Sequence, residues 1–395
     1  MGHKKLVLPL IIISQFCCTS LWFAGNAVIE DLIISFKLDF SALGHLTSAV
    51  QLGFIFGTLL FAILTITDRF SPSKVFFYSA IIASIFNILI VFDGQNLSNL
   101  ILFRFLTGFF LAGIYPVGMK IASDYYKAGL GKSLGLLVGA LALGTAFPHL
   151  LKGSFNDIIS WKGMILTTSL LAIIGGVLIR LFVPNGPYRK SLKRFDISVS
   201  YKVFRDSKFR SAAFGYFGHM WELYAFWAFI PVLLSAYTKI HPDIKYNIPL
   251  LSFVIIAFGG VACVISGYLS QKFHSKGIAT ASLFLSCTCC LLSPIIFQIH
   301  SELILILFLI FWGMVVIADS PLFSTLVAQS ANENFKGTAL TIVNCIGFTI
   351  TIFSIQILNN LMVFVNEKYL FLFLAIGPVF GLFFLLRKTK VSSLD

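Results

Sequence analysis

Long apolar stretches alternate with short polar segments from one end of the chain to the other. Each stretch can cross about 30 Å of hydrocarbon as a helix. Helices are expected because a backbone in lipid must satisfy its own hydrogen bonds. The pattern predicts twelve spans, at roughly 6–28, 42–66, 75–94, 98–122, 131–151, 163–183, 212–238, 249–270, 277–299, 302–327, 337–362 and 368–386. We expect the first to be retained rather than cleaved as a signal peptide.

The second half of the chain repeats features of the first at an offset of about 200 residues. Residues 62–74 (AILTITDRFSPSK) match 265–277 (ISGYLSQKFHSKG), and 112–116 (AGIYP) match 317–321 (IADSP). Six spans is an even number, so both copies start on the same side of the membrane. The predicted fold is an all-α polytopic membrane protein of two parallel six-helix repeats.

This repeat divides the chain into an N-terminal bundle over residues 1–183 and a C-terminal bundle over 212–395. Residues 184–211 join the two bundles. They open with Pro184 and are then basic and amphipathic, which predicts a short helix on the membrane surface.

Composition excludes an ordinary soluble domain, since 58% of the residues are hydrophobic and only 11% are charged. The net charge of +13 would suit nucleic acid, but its placement argues against that partner. Of the 29 Lys and Arg, six fall in the predicted outer loops: Lys37, Lys152, Lys162, Lys239, Lys245 and Lys368. This bias predicts a multi-pass protein of the cell inner (plasma) membrane with both termini cytoplasmic.

Catalytic and cofactor signatures do not stand out in the sequence. All seven cysteines lie in apolar stretches, which favours packing over metal binding. The chain carries neither a P-loop nor a dinucleotide-binding fingerprint. We therefore expect no enzyme activity, no metal and no cofactor. A duplicated apolar unit instead indicates a transporter in the lipid bilayer that moves a small-molecule substrate.

Two motifs give the chain a resemblance to the major facilitator superfamily over essentially its whole length. The loop after the second span keeps Asp68-Arg69 and the basic Lys74, without the glycines of the family pattern G-x-x-x-D-R-x-G-R-[RK]. The fourth span has Arg104-xxx-Gly108-xxxx-Gly113. The Gly-Pro signature of drug antiporters is not met in span 5. The segment GYFGHMWELYAFW in span 7 is similar to one subfamily of bacterial carriers.

The resemblance implies a monomer that works by alternating access around a cavity lined by spans 1, 4, 7 and 10. It also implies that Asp68 and Arg69, with Gln271 and Lys272 at the repeated position, take part in gating. Asp68 is expected to face the start of span 11, where free N–H groups favour an anion.

Three ionisable residues inside predicted spans are the candidates for proton coupling. His219 and Glu222 are spaced i, i+3 on one face of span 7, and Glu222 lies near the bilayer centre. Burial there disfavours the charged carboxylate, and we expect the two groups to share or exchange a proton. Asp319 is a second buried acid, in span 10. The alternative for His219 and Glu222 is a hydrogen bond that only holds helices together.

Six further residues on spans 1, 4 and 7 are candidates for substrate binding. Arg104 is the most distinctive, because an ionisable group inside a span usually faces protein or a water-filled cavity. It could contact an anion or act as a partner in a proton relay, or it could bond to carbonyl groups of neighbouring helices. The full set is Arg104, Tyr115, Trp22, Asn26, Gln15 and Tyr224.

These residues predict a secondary active transporter, with proton-coupled uptake of a small organic anion or zwitterion as the first hypothesis. Proton-antiport efflux of an amphipathic or cationic compound is the second, because the predicted cavity is aromatic and holds two acids. A non-transporting membrane sensor is the third. Protons are thus an expected partner in the first two hypotheses, and nucleic acid is a partner in none of them.

Overall fold

A computed structural model describes residues 2–126, 130–189, 203–332 and 336–387. All regular secondary structure in these ranges is helical. Eleven helices there are long and apolar enough to cross a membrane, and Leu6–Thr19 is a shorter apolar helix. This confirms the predicted all-α polytopic membrane fold. The surface helix predicted in the linker falls largely on residues 190–202, which lie outside the described residues.

We number the helices of the described residues as twelve spans, six before and six after the linker, and count the shorter apolar helix and the segments that follow it as span 1. The first half contains Gly2–Thr19, Ala24–Ala27 and Ile29–Phe36 (span 1), Ala42–Ile63 (span 2), Pro72–Ile88 with the 3₁₀ turn Leu89–Val91 (span 3), Leu97–Leu111 and Tyr115–Tyr125 (span 4), Leu130–Phe155 (span 5) and Trp161–Phe182 (span 6), with the short helix Ile66–Arg69 after span 2. The second half contains Ser207–Ile240 (span 7), Ile248–Leu269 (span 8), Ser275–Ile296 (span 9), Glu302–Ala318 and Ser320–Ser330 (span 10), Lys336–Leu361 (span 11), and the 3₁₀ helix Glu367–Ala375 with Ile376–Leu386 (span 12).

Spans 1, 4 and 10 are interrupted, whereas span 7 runs unbroken for 34 residues. Pro116 and Pro321 stand in the first turns of the second segments of spans 4 and 10. Proline has no N–H donor, so it can begin a helix more easily than it can continue one. The breaks at residues 112–114 and at Asp319 fall at positions that the internal repeat equates. Such breaks leave carbonyl groups inside the membrane that need other partners.

Spans 5 and 8 form the closest contact between the two halves. We call the membrane face that carries both chain ends the terminal side, and the other face the opposite side. At mid-membrane, a Cβ added to Gly139 would lie 2.8 Å from the carbonyl oxygen of Gly260, and one added to Gly260 would lie 2.9 Å from that of Gly139. Only glycine permits this approach of two backbones. The Lys132 ammonium lies 4.8 Å from the Tyr268 ring centre at the terminal side.

Hydrogen bonds join the two halves at the opposite side. Gln356 Nε2 on span 11 donates to the Gly44 carbonyl oxygen at 3.0 Å and to Ser48 Oγ at 2.8 Å, both on span 2. Asn247 Nδ2, at the start of span 8, donates to the Gly153 carbonyl oxygen on span 5 at 2.7 Å. The halves are therefore held together at the opposite side in this conformation.

Candidate functional site

A layer of four aromatic rings closes the centre of the protein between the halves. Trp22, in the break of span 1, stacks on Tyr224 of span 7 with ring centres 5.7 Å apart and on Phe348 of span 11 at 5.8 Å. Phe54 of span 2 lies 4.9 Å from Trp22 and 4.5 Å from Phe348. All four rings are buried. The layer therefore separates the hydrogen-bonded opposite side from the space below.

A cleft lies between the halves on the terminal side of this layer. Its volume is about 20 Å³, so the cleft is narrow in this conformation. Aromatic, hydroxyl, amide, thioether and aliphatic side chains line it, and none of them is charged. They are Tyr115, Met119, Leu141, Tyr216, Met220, Leu223, Tyr224, Ile317, Ser320, Ser324, Asn344 and Phe348.

The predicted substrate residues divide between the cleft and its surroundings. Tyr115 and Tyr224 line the cleft, and Trp22 contributes to the layer above it. Asn26 lies away from the cleft and donates from Nδ2 to Thr47 Oγ1 at 2.7 Å, which ties span 1 to span 2. Gln15 is fully buried beside span 4, and neither atom of its amide has a hydrogen-bond partner among the described residues.

Arg104 is buried beside the break in span 1, and its guanidinium bonds to the carbonyl groups that the break frees. Nη1 donates to the Leu21 carbonyl oxygen at 3.0 Å and to Asn87 Oδ1 at 3.2 Å, and Nη2 donates to the Trp22 carbonyl oxygen. The Asn87 amide in turn donates to Ser169 Oγ on span 6 at 2.9 Å. Arg104 therefore holds the turn that presents Trp22, and its role as a substrate contact stays a prediction.

His219 and Asp319 form a buried pair between spans 7 and 10. His219 Nδ1 lies 2.8 Å from Asp319 Oδ1, and the two side chains are 0% and 1% exposed. The ring N–H is not aligned with that oxygen, and no atom of either group has an aligned hydrogen-bond partner among the described residues. Asp319 stands in the break of span 10, where its carboxylate does not cap the following segment. The free-energy cost of burying these two side chains is therefore offset by little beyond their attraction for each other.

Glu222 faces away from His219, which corrects the expected pairing of the two. Its Oε1 accepts hydrogen bonds from Ser286 Oγ at 2.5 Å, Trp312 Nε1 at 2.7 Å and Cys290 Sγ at 3.3 Å. These donors belong to spans 9 and 10, inside the second half. The i, i+3 spacing put His219 and Glu222 on one side of span 7, but each side chain turns toward a different neighbouring helix.

The gating candidates lie at the terminal side. Asp68 Oδ1 is 3.5 Å from Lys120 Nζ on span 4, so it pairs within its own half rather than with the start of span 11. The same lysine also lies 3.6 Å from Asp124 Oδ1. Arg69 Nε donates to Thr65 Oγ1 at 3.2 Å. At the repeated position, Gln271 and Lys272 close the end of span 8 through backbone hydrogen bonds.

Several residues of the site carried no signal in the sequence that set them apart. Phe54 and Phe348 are two of 43 phenylalanines, and only packing shows that they form the layer. Gln51 is fully buried on span 2 with an amide that has no partner among the described residues. Tyr216 and Met220 could have been predicted from the sequence, because they precede Tyr224 by two turns and one turn on the same face of span 7.

Comparisons with known proteins agree with this architecture. The sequence profile of the family described as Major Facilitator Superfamily matches residues 11–355. A solved structure of a bacterial homolog of the human lysosomal transporter Spinster, in an inward-facing and unoccupied conformation, is similar with a TM-score of 0.67. It shares 14% sequence identity, and the match covers 97% of this chain and 95% of that one. A search of curated proteins finds no match. The chain belongs to the major facilitator superfamily, a family of secondary transporters rather than enzymes, as the sequence predicted.

Proposed function

We propose that this protein is a proton-coupled transporter that moves an amphipathic solute, uncharged or cationic, through the cleft between its halves. The buried pair of His219 and Asp319 is the observation that carries the proposal. In it, Asp319 is the group that exchanges a proton as the halves rock, and His219 stabilises its ionised form. The direction that follows is export of the solute in exchange for protons, the second of the hypotheses raised by the sequence.

The position of the pair supports a coupling role. Ser320 follows Asp319 directly and lines the cleft, and the ring centre of Tyr216, which also lines the cleft, is 5.9 Å from that of His219. A buried carboxyl group with one histidine beside it and no aligned donor is sensitive to small changes in its surroundings. Motion at the break of span 10 would alter its distance to His219 and its access to water. The free energy of protonation would then differ between the two conformations, which coupling requires.

Glu222 is the weaker candidate for the proton site, although it is equally buried. Three donors surround its Oε1, and all of them move with the second half. A carboxylate held in this way keeps the same partners when the halves rock as rigid bodies, so its protonation has less reason to follow the transport cycle. We assign it a packing role and retain it as the alternative proton site.

The lining of the cleft supports an amphipathic solute over an organic anion. Three tyrosines, two methionines and Phe348 offer aromatic and polarisable surface, and Ser320, Ser324 and Asn344 offer hydrogen bonds. An anion would find no cation among these residues. Arg104, on which the anion hypothesis rested, already donates to two carbonyl oxygens and to Asn87.

Competition between a proton and the solute at Asp319 would couple the movement of one to the movement of the other. A cationic solute in the cleft gains from an ionised Asp319, whereas a proton removes that charge. If solute and proton cannot bind at the same time, the protein changes conformation with one or the other bound. An inward proton gradient then drives the solute outward. With one proton per solute and no net charge moved, each pH unit can sustain about a tenfold solute gradient.

The location, topology, oligomeric state and gating of the protein are also proposals, and they rest on the charge distribution and on the family. We place the protein as a monomer in the cell inner membrane, with both termini cytoplasmic, so that the terminal side faces the cytoplasm. Asp68 and Arg69, with Gln271 and Lys272, are proposed to act at this side when the cleft closes. The contact of Asp68 with Lys120 would then mark the open phase of the cycle.

Transport by the purified protein in proteoliposomes tests the proposal. A panel of aromatic cations, neutral aromatics, zwitterions and organic acids is offered under a gradient of one pH unit, to wild type, Asp319→Asn, Glu222→Gln and Asp93→Asn. Asp93 is an exposed acid in a loop and is the matched control. We expect gradient-driven movement of an amphipathic solute in wild type and in the Asp93 variant, and its loss in Asp319→Asn.

Two results would contradict the proposal. Full gradient-driven transport by Asp319→Asn, with loss in Glu222→Gln, would move the proton site to Glu222. Transport of organic acids alone would overturn the solute class and return the protein to the uptake hypothesis.

A further inference from the structure

A crevice at the terminal side opens toward the surrounding lipid, away from the cleft between the halves. It lies where spans 1 and 3 begin and span 6 ends, and its volume is about 680 Å³. The residues after span 6, 183–185, form its roof. Its described lining comes from the first bundle and from Pro184 and Asn185, which open the linker.

Hydrogen bonds build the frame of this crevice. Ser73 Oγ donates to the Val183 carbonyl oxygen at 2.5 Å, and Ser71 Oγ donates to Asn185 Oδ1 at 2.7 Å. These two bonds tie the roof to the first residues of span 3. They also orient the Asn185 amide so that its NH₂ group has no partner among the described residues.

Two cations line the crevice, and none of the described residues in its walls is acidic. Lys74 lies on the first turn of span 3 and Arg180 on the last turn of span 6. Both side chains belong to exposed residues, and neither forms an ion pair or hydrogen bond among the described residues. The pair of charges therefore favours an anion, and the guanidinium suits a phosphate in particular.

The remaining walls are apolar and exposed. Leu6 is 61% exposed, Leu181 67% and Phe182 55%, and Leu10 lies deeper along span 1. In a protein that crosses the membrane, such side chains at the edge of the bilayer meet acyl chains. Two cations beside these apolar walls match an anionic phospholipid, with a charged headgroup and a hydrocarbon tail.

We propose that this crevice binds the phosphodiester headgroup of an anionic phospholipid, with Lys74 and Arg180 as its cationic contacts and an acyl chain along Leu6, Leu10 and Phe182. The lipid bridges spans 1, 3 and 6 and so anchors the first half in its leaflet. This inference does not depend on the transported solute. It accounts for Lys74, the basic residue of the loop motif, for which the cleft offers no role.

Titration of the full-length protein in detergent micelles, followed by native mass spectrometry, tests the proposal. Phosphatidylglycerol, phosphatidylcholine and inorganic phosphate are the three probes. We compare wild type with Lys74→Gln/Arg180→Gln and with Lys37→Gln/Lys245→Gln, a control that removes two exposed cations from the opposite side. Near an anionic surface each cation contributes about a fivefold gain in affinity, so the double variant should bind phosphatidylglycerol about 25-fold more weakly.

The expected pattern is a preference for phosphatidylglycerol over phosphatidylcholine that the crevice variant loses and the control keeps. Equal phosphatidylglycerol binding by wild type and crevice variant would overturn the proposal. Binding of inorganic phosphate that competes with the lipid would make this a free-phosphate site and also overturn it. Photo-crosslinking of a phosphatidylglycerol analogue to wild type needs no variant: labelling should fall within residues 6–10, 71–74 and 180–185, and labelling elsewhere would contradict the assignment.

Discussion

Replacing Gln356 by leucine should open the opposite side of the transporter. The Gln356 amide gives two hydrogen bonds to span 2, at 3.0 Å to the Gly44 carbonyl oxygen and at 2.8 Å to Ser48 Oγ. A net contribution of about 0.5–1.5 kcal/mol for each bond gives about 1–3 kcal/mol. Both bonds cross between the halves, so their loss destabilises only the conformation closed at this side. The ratio of open to closed molecules should rise about 5- to 150-fold.

Pulsed electron paramagnetic resonance can measure this shift. Nitroxide labels at Phe40 and Val363, which are 82% and 77% exposed, report the separation of the halves at the opposite side. The seven native cysteines are buried, which favours selective labelling of the introduced thiols. Gln298→Leu is the matched control, because its amide donates to the Pro294 carbonyl oxygen one turn earlier in the same half. An unchanged distance distribution in Gln356→Leu, or an equal change in the control, would refute the reasoning.

Three other variants test separate parts of the structure. Gly139→Leu should lower the thermal unfolding midpoint and block transport, because overpacking against the span 8 backbone costs about 1–3 kcal/mol. Gly277→Leu places its side chain in open space and should have neither effect. Arg104→Met should weaken binding of every solute without altering the pH dependence of transport, because it loosens the turn that positions Trp22 in the aromatic layer. A loss of binding confined to anions would contradict this expectation. The hydrogen bond from His300 lowers the pKa of Asp243. This contact therefore stabilises the folded protein at pH values above the ordinary aspartate pKa, and the stabilisation is lost as the pH falls through the lowered pKa. Asp243→Asn should therefore flatten the acid side of the unfolding curve, and an unchanged acid side would contradict the assignment.

The spans were predictable because their signal is local. Twenty apolar residues in a row specify a membrane helix without reference to any other part of the chain. The breaks in spans 4 and 10 also had local marks in Pro116 and Pro321. The break in span 1 had none of this kind, and Arg104 meets its carbonyl groups from a position more than 80 residues away.

The partners of the buried charges were not predictable in the same way. Helical periodicity gives the face on which His219 and Glu222 lie, but not which neighbouring helix each face meets. Asp319 and Trp312 both come from span 10, yet one contacts His219 and the other contacts Glu222. That choice depends on the rotation and tilt of packed helices, which the spacing of residues along the chain does not record.

Proton release on solute binding tests the central claim most directly. A cationic solute that the liposome panel identifies is added to purified protein in weakly buffered detergent solution, and the pH change is recorded. If solute and proton compete at Asp319, wild type and Glu222→Gln release about one proton for each bound solute at a pH where Asp319 is protonated, and Asp319→Asn releases none. Solute binding by wild type without proton release at any pH, or equal release by Asp319→Asn, would contradict the account.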